Sequence, residues 1–183
     1  MRAVGLVLVV GWIAFWAYWL FSARNTKPGQ TRWRRFAGVR VAAIILIVYF
    51  VRFGGFNHHG GIKENWALGG IGLALWIAGL GLAVWARIYI GRNWGMPMTR
   101  KENPDLVTSG PYRLIRHPIY TGIIGGMIGT ALATAFVGFI AVAILAVYFV
   151  YSAVNEERYM TEQFPADYPA YKARSKMLIP FIF

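Results

Sequence analysis

Between Ile119 and Asn155 the chain runs for 37 residues without one charged side chain. As a single α-helix this stretch would measure about 55 Å, against a bilayer hydrocarbon core of about 30 Å. It is too long for one crossing and too apolar for a water-facing surface. Two short spans joined near Thr134–Gly138, a tight helical hairpin, resolve the conflict. Three more apolar segments are long enough to cross a membrane: Ala3–Phe21, Ala37–Phe56 and Trp66–Ala86, which gives five spans. The first is too long for a signal-peptide core, and no small-residue cleavage site precedes the basic segment after it, so it reads as a retained span. Arg40 and Arg52 sit near the ends of the second, where they can snorkel. The fold class is therefore all-α: a polytopic membrane protein forming one membrane domain, residues 1–86 supplying three spans and 87–183 a core with the chemistry.

Composition agrees, with 57% of the 183 residues hydrophobic and 14% charged, where soluble domains carry about 25% charged residues. A net charge of +12 raises the question of nucleic acid. The basic residues flank apolar runs instead of forming one stripe, so no nucleic-acid partner is expected and the lipid bilayer is. Ser22–Phe36 holds Arg24, Lys27, Arg32, Arg34 and Arg35 with no acid, and Gly91–Pro118 holds Arg92, Arg100, Lys101, Arg113 and Arg116. The loop between spans two and three has only Lys63 beyond Arg52. Positive loops stay inside, which puts the N-terminus outside and the C-terminus in the cytoplasm. The hairpin then returns Glu156 and Glu157 to the side of Arg116 and His117. The compact chain fits a bacterial or archaeal inner membrane.

Glycines in the spans read as packing surfaces: Gly122 with Gly126, Gly125 with Gly129, and Gly72, Gly79 and Gly81 in the third span. There is no cysteine, which removes disulfides, thiolate metal sites and cysteine nucleophiles. His58-His59 in a glycine-rich loop lacks the further ligands of a metal site, so no metal is expected. P-loop, His-Glu-x-x-His and Gly-x-Gly-x-x-Gly motifs are missing from the sequence.

Residues suited to chemistry gather in two places. Ser109-Gly110-Pro111 reads as a turn, and Pro118 suits the first turn of the fourth span. Arg116 and His117 then stand before a helix N-terminus, whose N–H groups favour an anion, and the Arg116 fork suits a carboxylate or phosphate. Arg113 reads as a membrane anchor; Arg116 is open to both readings. The second place is Asn155-Glu-Glu-Arg158 after the fifth span. At a helix exit two carboxylates oppose the macrodipole and would serve a cation; if the helix continues, they become solvated acids. The terminal Leu178-Ile-Pro-Phe-Ile-Phe183 is apolar enough to fold back on the site or the interface.

With these motifs in view the sequence resembles the isoprenylcysteine carboxyl methyltransferase family. The matching features are Leu106-Val-Thr-Ser-Gly-x-Tyr112, Arg116-His-Pro-x-Tyr120, the apolar hairpin, Glu156-Glu157, Phe164-x-x-x-Tyr168-x-x-Tyr171 and a terminal Leu-Ile-Pro, with Gly91-Arg-Asn-Trp94 upstream. The resemblance covers roughly Arg87–Phe183. It implies an S-adenosyl-L-methionine site at the cytoplasmic membrane face, lined by Pro104, Asp105, Leu106, Val107, Tyr112, His117, Pro118, Ile119, Tyr120, Glu156 and Glu157. Methyl transfer needs in-line placement of a nucleophile against the sulfonium methyl; a carboxylate is already ionised and needs no general base. Arg116 is the expected catalytic group, orienting such an acceptor. One departure stands out. The isoprenylcysteine enzymes associate an arginine shortly before the Glu pair with substrate, whereas Phe149–Asn155 has none and Ser152 falls near that place. The acceptor expected is therefore a lipophilic or small molecule: another carboxylate, a thiol or an amine. Sterol reductases using NADPH share a similar Arg-His-Pro core, but more typically carry Asn where this chain has Ile119. A membrane scaffold without turnover is the non-enzymatic alternative.

Overall fold

The computed structural model of the chain describes residues 2–31, 65–97, 99–134 and 137–182. The expected second span Ala37–Phe56, with Arg40, Arg52 and His58-His59, lies outside the described residues. Four long helices form the body: α1 (Arg2–Ser22), α2 (Trp66–Ile90), α3 (Pro118–Thr134) and α4 (Gly138–Gln163). A short α5 (Tyr168–Arg174) follows. Among the described residues α1, α2 and α4 are long and apolar enough to cross a membrane, and α3 is a shorter apolar helix of 17 residues. At 1.5 Å per residue α3 reaches about 26 Å.

The lateral surface is that of a protein in lipid. Leu6, Val10, Ile13 and Leu20 of α1, Ile71 and Ile77 of α2, and Val147 of α4 are exposed, far more apolar area than a water-facing monomer leaves open. The chain is an integral membrane protein. Within lipid the helices need another reason to associate, and close backbone approach supplies it. A Cβ added at Gly72 would lie 2.6 Å from the Gly129 carbonyl oxygen, and one at Gly122 would lie 2.7 Å from the Ala83 nitrogen. A Cβ at Gly79 would collide with the backbone of Gly126. So α2 and α3 pack antiparallel, glycine against glycine. Gly81, expected in the same surface, has open space around its Cβ position; two residues from Gly79, it has turned to another face of the helix.

Helix ends are set locally. The Asn65 side chain accepts hydrogen bonds from the Ala67 and Leu68 amides and caps the start of α2. Gly91, at φ +55°, ends it. Trp12 Nε1 donates to Thr130 Oγ1 at 3.1 Å, tying α1 to α3. The expected hairpin is present as α3 and α4, with Thr134 closing one helix and Gly138 opening the other. It returns α4 to the end of the bundle where α2 finishes and α3 begins. Arg87 belongs to that end too. Almost wholly buried, it donates to the Ser22 carbonyl at 2.6 Å and the Gly91 carbonyl at 2.8 Å, neutralising the C-terminal ends of α1 and α2 together. There Gly29–Thr31 (β1) and Thr99–Lys101 (β2) pair antiparallel, Gly29 opposite Lys101. This ladder has no signal in the sequence pattern.

Candidate active site

One cleft opens where α2 ends and α3 begins. Its cavity of about 170 Å³ is bounded by the loop 93–107, the start of α3, and the last turns of α4. Pro104, Asp105, Leu106, Val107, Tyr112, Arg116, His117, Ile119, Tyr120 and Glu156 all border it. Pro118 and Glu157 do not. Pro118 is fully buried at the head of α3, and the Glu157 side chain is 2% exposed.

The two adjacent acids therefore have different surroundings. Helix α4 continues to Gln163, so neither stands at a helix exit, yet neither is an ordinary solvated acid. Glu156 faces the cleft: Tyr120 Oη donates to its Oε1 at 2.6 Å and His117 Nδ1 lies 3.5 Å from its Oε2. Glu157 points inward to Arg116 Nε at 2.6 Å, to Lys172 Nζ at 2.7 Å, and to His117 Nε2 at 3.6 Å. Consecutive residues on a helix differ by about 100° in direction, which is how one acid meets the cleft and the other the packing behind it.

His117 lies between both carboxylates. Burial works against its charged form, but the hydrogen-bonding and charge of Glu156 and Glu157 outweigh burial and raise its pKa. Its buried Nε2 has Glu157 Oε1 at 3.6 Å as its facing acceptor and no shorter hydrogen bond among the described residues. The imidazole stacks on the Tyr120 ring, centroids 5.4 Å apart, and Tyr120 stacks on Phe149 at 4.6 Å. The first turn of α3 is thus held by an aromatic column as well as by charge.

Arg116 was expected to orient an acceptor. Its guanidinium borders the cleft, but Nε donates to Glu157 and Nη1 to the carbonyl oxygens of Ser175 (2.5 Å) and Lys172 (3.3 Å). Through Nε and Nη1 it clamps the C-terminal segment to α4, while Nη2 takes no part in these bonds. That segment folds back as expected. Lys176 and Met177 carbonyls accept from the Arg116 and His117 amides, and Thr121 Oγ1 donates to the Leu178 carbonyl at 2.6 Å. With Pro118 lacking an N–H, the α3 donors left toward the cleft are the amides of Ile119 and Tyr120.

The tyrosines stabilise the wall. Tyr171 Oη donates to the Tyr112 carbonyl at 2.6 Å, and Tyr112 Oη to the Ala86 carbonyl at 3.3 Å. Burial pushes the Tyr171 hydroxyl up to about 12 and raises those of Tyr112 and Tyr168; all three are neutral at ordinary pH. On the opposite wall Asp105 accepts from Lys27 Nζ at 2.7 Å and Asn93 Nδ2 at 3.0 Å, and these hydrogen bonds, Lys27 first, lower its pKa.

Sequence reasoning missed Ile90, Trp94, Met96, Lys101, Tyr159, Met160, Tyr168 and Tyr171 as cleft residues. For Trp94, Tyr168 and Tyr171 the motif spacing was a usable signal. Lys101 looked like one more loop cation. Ser152, near the place of the family's substrate arginine, is fully buried and its hydroxyl donates to the Tyr148 carbonyl of its own helix at 2.9 Å. It faces packing, not the cleft.

Residues 68–167 match the phospholipid methyltransferase family. This begins inside α2, upstream of Arg87, in keeping with the glycine contact that makes α2 and α3 one packing unit. The chain is 31% identical to protein-S-isoprenylcysteine O-methyltransferase B of Arabidopsis thaliana over 126 residues, 67% of this chain and 64% of that protein. The A form from the same plant is 30% identical over the same shares. A cobalt-zinc-cadmium resistance protein of Cupriavidus metallidurans is 35% identical over 94 residues, 50% of this chain and 43% of that protein. The matches thus cover less than two thirds of each relative's length.

Proposed function

The chain belongs to the phospholipid methyltransferase family, and from that premise we propose that it is a membrane methyltransferase whose cleft binds S-adenosyl-L-methionine. The observation that carries this reading is the meeting of Tyr120 with Glu156, 36 positions apart in the sequence, beside His117 on one cleft wall. When bound, the cofactor supplies an electrophilic methyl on a sulfonium.

The residues present fit such a group. Glu156 offers a carboxylate to a cationic centre, and Tyr112, Tyr120 and Trp94 give the cleft an aromatic lining around it. His117 stands behind this acid, its Nδ1 3.5 Å from Glu156 Oε2, and helps to fix the carboxylate in the cleft. The chain's own part in the chemistry is placement: in-line alignment of donor and acceptor carries much of the rate, and the apolar wall of Leu106, Val107 and Ile119 keeps water from the reacting centre. Arg116 serves the site as a positioning residue, through Glu157 and the C-terminal segment.

The acceptor class is a lipophilic or small molecule reaching the cleft from the bilayer, a carboxylate being the simplest because it arrives ionised. The basic residues Lys27, Arg92, Arg100 and Lys101 cluster at the cleft end of the bundle, which supports a cytoplasmic cleft under the positive-inside rule.

Calorimetry of the purified full chain in detergent tests the reading. S-adenosylhomocysteine should bind saturably and Glu156→Ala should weaken it about tenfold, the worth of one charge-assisted contact. Binding of NADPH with no binding of the nucleoside would sink the proposal in favour of a reductase.

A further inference from the structure

We infer that Lys101 is the cleft's anchor for the cofactor's carboxylate, an assignment that rests on the cofactor reading above. Charge bookkeeping around the cleft isolates it. Four ionised side chains apart from His117 border the cavity: Asp105, Glu156, Arg116 and Lys101. Asp105 is paired with Lys27 and Arg116 with Glu157. Glu156 meets Tyr120 and His117. Among the described residues no carboxylate lies in ion-pair distance of Lys101. Its Nζ donates to the Lys27 carbonyl at 2.6 Å, and an ammonium has three donors, so two have no partner among the described residues.

The side chain is also held in place. Lys101 ends β2, registered opposite Gly29, and its own carbonyl accepts from Tyr159 Oη at 2.8 Å, which fastens the strand to α4. Its stem runs past Gly95, where a Cβ would lie 3.0 Å from Lys101 Cε. Desolvation, with Arg87 as a secondary cause, lowers its pKa. A partly desolvated cation of this kind gains from meeting an anion.

The helix terminus alone is a weak alternative. Two of the first amides around the start of α3 are closed by Lys176 and Met177, and Pro118 has none. A full carboxylate near Glu156 and Asp105 needs a full positive charge, and Lys101 provides it while Glu156 takes the ammonium of the same zwitterion.

The test is calorimetry of the full chain in detergent with two probes. S-adenosylhomocysteine has the amino-acid moiety; 5′-methylthioadenosine lacks it. Lys101→Met should weaken S-adenosylhomocysteine binding about tenfold or more, as expected for a lost hydrogen bond to a charged group. It should leave methylthioadenosine unchanged, and Lys101→Arg should restore most of the affinity. Unchanged S-adenosylhomocysteine affinity in Lys101→Met, with the wild-type chain binding normally, overturns the Lys101 assignment alone. Equal weakening of both probes overturns it too, since that marks a structural role. If the wild-type chain binds neither probe, the cofactor reading itself falls and this inference with it.

Discussion

Replacing Glu157 by alanine should cost about 3 kcal/mol of stability, the lower end of what is lost when one partner of a buried ion pair is removed. The magnitude follows from who is stranded. Arg116 is 8% exposed and Glu157 2%, so after the change the guanidinium stays away from water. Its Nη1 keeps the Ser175 and Lys172 carbonyls, but Nε loses the one acceptor it has among the described residues. Lys172 matters less. With 52% of its side chain exposed, it returns to solvent at a cost under about 1 kcal/mol. The assay is reversible unfolding in mixed micelles followed by tryptophan fluorescence. A double variant, Arg116→Met with Glu157→Leu, supplies the control: the Arg116 charge goes with its partner, His117 keeps Glu156 and Lys172 returns to solvent, so it should be clearly more stable than Glu157→Ala. Limited proteolysis should also show earlier cleavage after Lys172 in the single variant, because the clamp on the C-terminal segment is gone. A Glu157→Ala chain within about 0.5 kcal/mol of wild type, or a double variant as unstable as the sum of its singles, would refute the account of Arg116 as a buried clamp.

Gly79→Ala should destabilise the α2–α3 contact by about 1–3 kcal/mol through overpacking, since the added Cβ falls on Gly126 backbone. Gly81→Ala, with open space at its Cβ, should stay within about 0.5 kcal/mol; equal effects at both sites would contradict the packing described. The stability gap between the wild-type chain and His117→Gln should depend on pH. The folded pKa of His117 lies above its ordinary value of 6.5, so its contribution is complete below about pH 6.5 and is lost as pH rises through the folded value. Unfolding at stepped pH from acid to mildly alkaline checks this, and a gap that widens with pH would reverse the sign.

What was legible in the sequence is what depends on one dimension. The length of Ile119–Asn155 against the thickness of a bilayer demands a turn, and the turn occurs between Thr134 and Gly138. The sequence order of Arg116-His-Pro-x-Tyr120 and Glu156 sufficed to bring them to one side of the membrane. What depends on angle about a helix axis was not legible. Glu156 and Glu157 look equivalent in sequence, yet one borders the cleft and the other is sealed behind it. Gly79 and Gly81 differ in the same way, and Ser152 turned inward for the same reason. Without a strong polar-apolar contrast around a helix in lipid, sequence periodicity has little to report about which face meets a partner.

Charge in a loop is ambiguous for a different reason. A lysine beside a membrane span satisfies the positive-inside rule wherever it points, so Lys27 and Lys101 read alike. Tertiary pairing separates them. The β1–β2 ladder brings Lys27 to Asp105 and turns Lys101 to a backbone carbonyl at the cleft. Two lysines that look alike as loop cations thus become unequal once the loop folds over the helix ends. One neutralises an exposed acid, and the other borders a cavity that Glu156 also borders. A membrane enzyme handling a zwitterion at the bilayer surface needs one charge of each sign fixed against rigid elements. On the proposed cofactor reading, Glu156 on α4 and Lys101 on a strand tied to α4 by Tyr159 would supply the two charges.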